Sequence, residues 1–316
     1  MLRKVVKSAG EAALARGPMA HVGRRVMQGR TLVLAYHNVV PSGLEPGGDR
    51  SLHLPLDDFR RQMDHLVRYA DVVPLPEMAA RPDSTSGRRE PASPSDRPRV
   101  VVTFDDGYRG AVRDGLDAMV ERNLPATLFV APALLGNQIP WWDALADPAG
   151  GLRPGLREEL LGRLKGRTSA IRAWARQEGV AFHAAPEARR TVTTDELVRA
   201  AARPGITVGA HGWSHVALTA LSPWEIAQEI ARCHRWLGEK VAKNIPWIVY
   251  PYGLASTLVE EVVRERGYRG GFLVGGAWLT EGAAESGARL HLPRLTVPAG
   301  LSLDGFRARL AGWISR

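Results

Sequence analysis

The chain has 316 residues, of which 45% are hydrophobic, and a single cysteine, Cys233. That is enough apolar material for one large domain, and one thiol excludes both an intramolecular disulfide and a cysteine-built metal cluster. Net charge is +9, and residues 1–30 hold seven basic residues against one acid, Glu11.

In that first segment Leu2, Val5, Val6, Ala9, Ala12 and Ala13 recur near helical spacing beside Arg3, Lys4 and Lys7. The pattern predicts a basic amphipathic helix suited to an anionic membrane surface, so residues 1–30 read as a helical extension and 31–316 as the main domain. The basic start is not followed by an uninterrupted apolar region, and no stretch approaches transmembrane length, so the expectation is a cytoplasmic protein, peripheral on the inner membrane face. Nucleic acid is not an expected partner, because no nucleic-acid motif accompanies the basic charge.

Thr31–Tyr36 reads as a first strand. Leu56–Tyr69 follows as a helix with Phe59, Met63, Leu66 and Val67 on one face, and Asp71–Val73 as a short strand. Residues 81–99 hold four prolines and almost nothing apolar, which predicts a mobile loop. The apolar run Val100–Val102 then leads into Thr103-Phe104-Asp105-Asp106-Gly107-Tyr108. Two adjacent acids at the end of a buried strand are opposed by desolvation and by mutual repulsion, so a cation or a shared proton is the simplest account. An Asx-type turn is the alternative.

A helix over Ala111–Arg122 and a strand over Ala126–Val130 continue the alternation. Residues 137–200 interrupt it with Trp141-Trp142-Asp143 and helices near 156–164 and 170–177, which reads as an insertion over the site. Its two tryptophans either stack on sugar or close a satellite core. Ile206–Val208 leads into His211-Gly212-Trp213-Ser214-His215, whose i, i+4 histidines on one helical turn would face the same way. Two imidazoles and one carboxylate make a zinc-type donor set with a position left open. Strand and helix then alternate through Ile226–Leu237, Trp247–Tyr250, Val259–Arg266 and Gly270–Val274, the pattern of a parallel sheet closed by helices. Cys233 lies within the first of these helices and reads as buried filler.

The Thr103–Tyr108 run, the His211/His215 pair and Tyr250-Pro251-Tyr252-Gly253 resemble the first three motifs of the polysaccharide deacetylases, the group sharing the NodB homology domain. The likeness extends from Tyr36-His37-Asn38-Val39 to Leu292-Pro293-Arg294. It implies a distorted (β/α)7-type barrel and a metal-dependent N-deacetylase of an amino sugar in a glycan or glycan precursor. It makes Asp105 the general base and Asp106, His211 and His215 the ligands of a divalent metal, zinc first, although cobalt, nickel, iron and manganese suit the same donors. A backbone N–H near Tyr252 is implied as the oxyanion donor, with Pro251 beside the substrate; Trp213, between the two histidines, either lines the site or wedges their turn against the barrel.

Two departures stand out. Val249 sits where many members carry an arginine that holds the base, and Leu290-His291-Leu292 is a poor match to the late motif whose histidine is the acid. Tyr36-His37-Asn38-Val39 resembles instead the branch in which the last motifs lie on the N-terminal side. The expectation is therefore His37 as general acid, with His291 the alternative, and Arg294 in place of the missing arginine. An N-acetylated sugar on a nucleotide or lipid carrier is the expected substrate. A deacylase of polymeric surface polysaccharide and a non-catalytic glycan-binding relative are the alternatives.

Overall fold

A computed structural model of the chain describes residues 10–15, 17–45, 47–78, 97–148, 151–280 and 287–313. Much of the expected basic helix therefore lies outside the described residues, as does the expected loop at 81–99 except 97–99, of which Arg99 already opens a strand.

Residues 10–15 are helical, and the helix α1 (Gly17–Val26) leads into β1 (Thr31–Tyr36). The short strands β2 (Asn38–Val40) and β3 (His53–Pro55) pair with each other in a small parallel sheet that the sequence pattern does not announce. Next come α2 (Leu56–Tyr69), β4 (Asp71–Val72), α3 (Leu75–Met78) and β5 (Arg99–Asp105). The segment expected as one helix after β5 starts as a π-helical turn at Ala111–Gly115 before α4 (Leu116–Val120). β6 (Ala126–Val130) is followed by α5 (Trp141–Ala144), α6 (Leu156–Leu164), α7 (Thr168–Gln177) and α8 (Thr194–Ala202). The remaining units are β7 (Ile206–Ala210), α9 (Pro223–Lys240), β8 (Asn244–Val249), α10 (Thr257–Glu265), β9 (Gly270–Val274), β10 (Leu292–Thr296) and α11 (Leu303–Leu310).

Seven parallel strands close a ring in the order β1, β5, β6, β7, β8, β9, β10, and β10 returns to β1. The closing pair is fully in register, from Thr31 opposite Arg99 to Tyr36 opposite Phe104. β4 pairs only with the start of β5, below the point where β6 joins it, and so lies outside the ring. This is the expected distorted (β/α)7 barrel.

Alternation along each strand decides which residues enter the ring. Val33, Val101, Phe129, Trp247, Val249, Phe272 and Leu292 form one inner cluster, while Leu32, Leu34, Val100, Val102, Leu128, Val208 and Ile248 face the helices. Strand period 2 therefore puts Thr103 and Asp105 on the inner face with Val101, and Arg294 there with Leu292. Gly270 makes room for this packing, since a Cβ there would meet the Trp247 ring, which itself stacks on Phe272.

The helices cover the ring for simple reasons. α2 buries Phe59, Met63, Leu66 and Tyr69, and Asp57 and Asp58 in its first turn and Arg68 in its last complement the helix dipole. Val67, expected on the buried face, is exposed because it is rotated by about 100° from Leu66. α9 begins with a capping box, Ser222 with Glu225, and has Pro223 at its first position.

Between β6 and α8, the inserted helices build a satellite core of their own from Trp141, Trp142, Leu156, Leu160, Ile171 and Ala175. α8 instead carries Leu197, Ala200 and Ala201 into the main core. No helix among the described residues is long and apolar enough to cross a membrane.

Candidate active site

Because all ring strands run parallel, their C-terminal ends meet at one rim, and the singled-out motifs follow those ends. His37 follows β1, Asp105 ends β5 and Asp106 succeeds it. His211 follows β7, Tyr252 follows β8, and Arg294 sits within β10. A cleft of about 210 Å³ is lined by His37, Asp105, Asp106, His211, His215 and Arg294, together with Tyr252, Trp142 and Arg157.

Asp106 and Gly107 both adopt left-handed backbone, φ 69° and 68°, which turns the chain sharply as it leaves β5. The two acids thereby part company. Asp105 stays on the inner face of the barrel and meets Arg294, whose Nη1 and Nη2 donate to its two oxygens at 2.9 and 2.7 Å. Nη1 also donates to Thr103 Oγ1 at 3.0 Å, and the guanidinium carbon lies 5.8 Å from the ring centres of both Phe129 and Phe272. Burial pushes the Asp105 carboxyl up, but the charge and hydrogen bonds of Arg294, helped by His211 and His37, outweigh it and leave the group below the ordinary carboxylate value.

Asp106 turns instead toward His211 and His215. Its Oδ1 lies 3.4 and 3.2 Å from their Nε2 atoms, which are themselves 3.1 Å apart. Two donor atoms each about 2.0–2.1 Å from a tetrahedrally held ion stand about 3.3 Å apart, so the trio fits a zinc-sized cation. The chemistry agrees. The His211 Nδ1–H donates to the Val249 carbonyl at 2.8 Å, which leaves the Nε2 lone pair of its neutral form facing the cluster. Asp106 Oδ1, although close to both imidazoles, makes no hydrogen bond of good geometry. Three buried electron-rich atoms facing one another call for a cation or a proton among them. Burial lowers His211, but the close Asp106 carboxylate, the Asp105 charge and the bond to the Val249 carbonyl raise it net, while His215, for which burial prevails, stays lowered.

The histidine pair does not lie on a helical turn, contrary to the expectation from its spacing. Residues 211–215 form an irregular loop, with Gly212 at φ 70° and His215 at φ 56°. The two rings converge because the loop curls.

His37 lines the cleft among these charged groups. Burial lowers its pKa, and the pull of Asp105 and Asp106 only partly offsets this. His291 is elsewhere: its ring is exposed and its Nδ1 lies 2.7 Å from Glu260 Oε1. Tyr252 lines the cleft with its backbone at φ 60°, a strained conformation of the kind found at functional sites. Pro251 is buried beside it and does not line the cleft. Trp213 is also absent from the lining. Its indole lies under the Arg232 guanidinium at 4.3 Å and packs on the main core, which favours the wedging role over the lining one. Cys233 is fully buried, and desolvation pushes its thiol up to about 12, as suits inert filler.

Trp141 and Trp142 are buried members of the satellite core, so the packing role is the one the structure supports. Trp142 also reaches the site: its ring centre is 4.8 Å from that of His215. Behind it runs a polar network that sequence reasoning missed. Trp142 Nε1 donates to Tyr108 Oη at 2.8 Å, and Tyr108 donates to Asp143 Oδ2 at 2.6 Å. Asp143 Oδ1 lies 3.0 Å from His53 Nε2, and His53 Nδ1 lies 3.0 Å from Asn38 Nδ2. Arg157 lines the cleft and pairs with Asp49, tying α6 to the β2–β3 segment. A lone acid in the run Trp141–Ala144 was the available signal for Asp143; His53 and Asp49 had none.

The family model described as polysaccharide deacetylase matches residues 92–271, more than half of the chain. That span includes Asp105, Asp106, His211, His215 and Tyr252 and leaves out His37 and Arg294. Among solved structures, the Streptococcus pyogenes deacetylase PplD, determined in complex with acetate, is similar at 15% identity and TM-score 0.58 over 89% of this chain and 98% of that one. The polysaccharide deacetylase BC0361 from Bacillus cereus is similar at 14% identity and TM-score 0.58, over 89% of this chain and 69% of that one. A de-N-acetylase from Aggregatibacter actinomycetemcomitans matches at 14% and TM-score 0.58, over 89% and 99%. No curated protein sequence matches. The likeness to these structures is one of fold, and the sequence match goes further: the chain belongs to the polysaccharide deacetylase family.

Proposed function

We propose that this protein is a divalent-cation-dependent hydrolase that removes the N-acetyl group from an amino sugar of a glycan or glycan precursor. One juxtaposition carries the reading: the Arg294-bound carboxylate of Asp105 shares a cleft with His37 and with the Asp106, His211 and His215 donor set.

Asp106, His211 and His215 would hold the cation, which supplies Lewis-acid polarisation and acidifies water toward neutral pH. Asp105 accepts the proton of the attacking water. Its lowered pKa keeps it ionised at neutral pH, and Arg294 occupies only two of its roughly four lone-pair sites. Arg294 also fixes the carboxylate plane, so the base needs no reorientation as the proton moves. His37 gives its proton to the nitrogen as the acyl C–N bond breaks, leaving acetate and a free amine; its lowered pKa makes the imidazolium a stronger acid. The left-handed turn at Tyr252 brings backbone to the rim where the oxyanion develops, consistent with an N–H donor there.

Incubation of the zinc- or cobalt-loaded protein with UDP-linked, lipid-linked and polymeric N-acetyl sugars tests this, scoring acetate and the matching loss of sugar mass. Chelator-sensitive acetate release that Asp105→Asn abolishes is expected. Release that survives both, or no release from any class, overturns it.

The finer parts of the proposal are an acceptor on a nucleotide or lipid carrier, a cytoplasmic location and peripheral contact with an anionic membrane through residues 1–30. Their support is the basic charge of that segment and, on α1, exposed Met19, Val22 and Val26 at i, i+3 and i+7 beside Arg25. Cosedimentation with phosphatidylglycerol vesicles but not phosphatidylcholine vesicles is expected, and equal recovery with both would remove the membrane contact.

A further inference from the structure

The two histidines of the cation site are held differently. The His211 backbone N–H donates to the Val130 carbonyl at 2.9 Å, and its ring is fixed by the Val249 carbonyl. Among the described residues His215 Nδ1 has no hydrogen-bond partner; its backbone is left-handed, and its ring packs against those of Trp142, Tyr252 and His211. Tilted and edge-on ring contacts hem in an imidazole, but they do not place its nitrogen along a lone-pair direction. That placement must come from the loop, and the loop lacks the hydrogen bonds of a helix.

Glu229, in the middle of α9, supplies them. Its Oε2 accepts from the backbone N–H groups of Trp213 and Ser214 at 3.1 and 2.9 Å, and its Oε1 accepts from Ser214 Oγ at 2.7 Å. Three bonds from one carboxylate thus grip the two residues before His215. Arg232, one turn further along α9, covers the Trp213 indole and closes the other side of the grip. A carboxylate accepting from two N–H groups and a hydroxyl makes charge-assisted bonds, stronger than neutral ones.

We propose that Glu229 is a positioning residue for the cation site: it clamps the 211–215 loop so that His215 Nε2 faces Asp106 and His211 before any ion arrives. This deepens the proposed function and rests on Asp106, His211 and His215 being the ligands. Preorganisation of this kind appears as affinity, because without the clamp the ion must order the loop as it binds. Loss of an outer partner of a metal ligand typically weakens binding about 10–100-fold.

The test is Co²⁺ titration of the metal-free protein, followed by calorimetry and by the visible absorption of bound Co²⁺, with thermal melting of each metal-free variant alongside. Glu229→Ala should bind Co²⁺ at least about tenfold more weakly and with an altered spectrum. Glu229→Gln, whose amide oxygen still accepts both N–H bonds and whose NH2 donates to Ser214, should return to within about threefold. A residue that only supported the fold would lower the melting temperature and leave the spectrum of the bound fraction unchanged. Should Glu229→Ala not fold, Glu229→Asp decides, since the shortened side chain draws the carboxylate away from the loop and should weaken binding by about fivefold or more. Binding within twofold of wild type, with an unchanged spectrum, in whichever of these two variants folds would overturn the proposal. Asp106→Asn and His215→Ala separate the two levels: if the unaltered protein fails to bind Co²⁺, or these substitutions leave binding intact, the ligand assignment fails rather than the clamp.

Discussion

Arg294 meets Asp105 edge to edge inside the barrel, through bonds of 2.9 and 2.7 Å that join β10 to β5 across β1. Both partners are almost fully buried, so the pair contributes geometry more than stability, and removal of either leaves an uncompensated charge.

Replacing Arg294 with methionine should therefore lower kcat by roughly 10–100-fold while bound metal stays stoichiometric. The pH profile carries the sign. Asp105 acts ionised, so the rate rises with pH through its pKa; without Arg294, burial is less opposed and that acid limb should move to higher pH. An unmoved limb would separate Arg294 from the base.

The adjacent aspartates should be separable. Asp105→Asn is expected to keep its metal and lose about 10²–10⁴ in turnover, the usual worth of a general base. Asp106→Asn should lose the metal itself, as read by elemental analysis after dialysis. Metal should stabilise the wild-type protein by about 2.7 kcal/mol at a free concentration one hundred times Kd and so raise its melting temperature, and Asp106→Asn should show neither.

His37→Ala should retain metal and lose turnover by about 10²-fold or more. His291→Ala should behave as wild type, because that ring stands at the surface beside Glu260. Single-turnover acetate release distinguishes the two, and a silent His37→Ala would return the acid to another group.

Trp142→Ala should cost about 3–5 kcal/mol in urea unfolding, the usual price of an emptied aromatic site, and should leave the Tyr108 hydroxyl bonded to Asp143 alone. A raised KM at unchanged stability would instead mark a sugar platform.

Glu196 offers a pH test remote from the chemistry. Burial pushes its carboxyl up, but bonds from Arg109, the Thr193 N–H and Arg113 bring it down to about 2 from an ordinary 4.5. Its folded pKa lies below its unfolded one, so its stabilisation is complete above about pH 4.5 and fades as pH falls toward 2. The difference in urea midpoint between wild type and Glu196→Gln should be constant near neutrality and shrink below pH 4.5.

Much of this molecule was legible along the chain. Leu56–Tyr69 and Thr31–Tyr36 carry their period in consecutive residues, and Asp105, Asp106, His211 and His215 stand in short runs whose donor types limit what they can do. Local rules failed where geometry departs from a regular element. The spacing of His211 and His215 invites a helix, yet left-handed residues in an irregular loop bring the rings together. Trp213 sits between His211 and His215 in sequence and still turns away, drawn by Arg232 and the core.

Sequence alone determined the strand-and-helix alternation and the chemical character of the site, because both depend on neighbours a few residues apart. Only the tertiary structure decided that Arg294 reaches Asp105, 189 positions away, that His37 rather than His291 enters the cleft, and that Asp143 and Glu229 stand behind the site. Those pairings arise from closing a ring of parallel strands, which brings distant inner-face residues to one rim; no periodicity along the chain encodes which of them will meet.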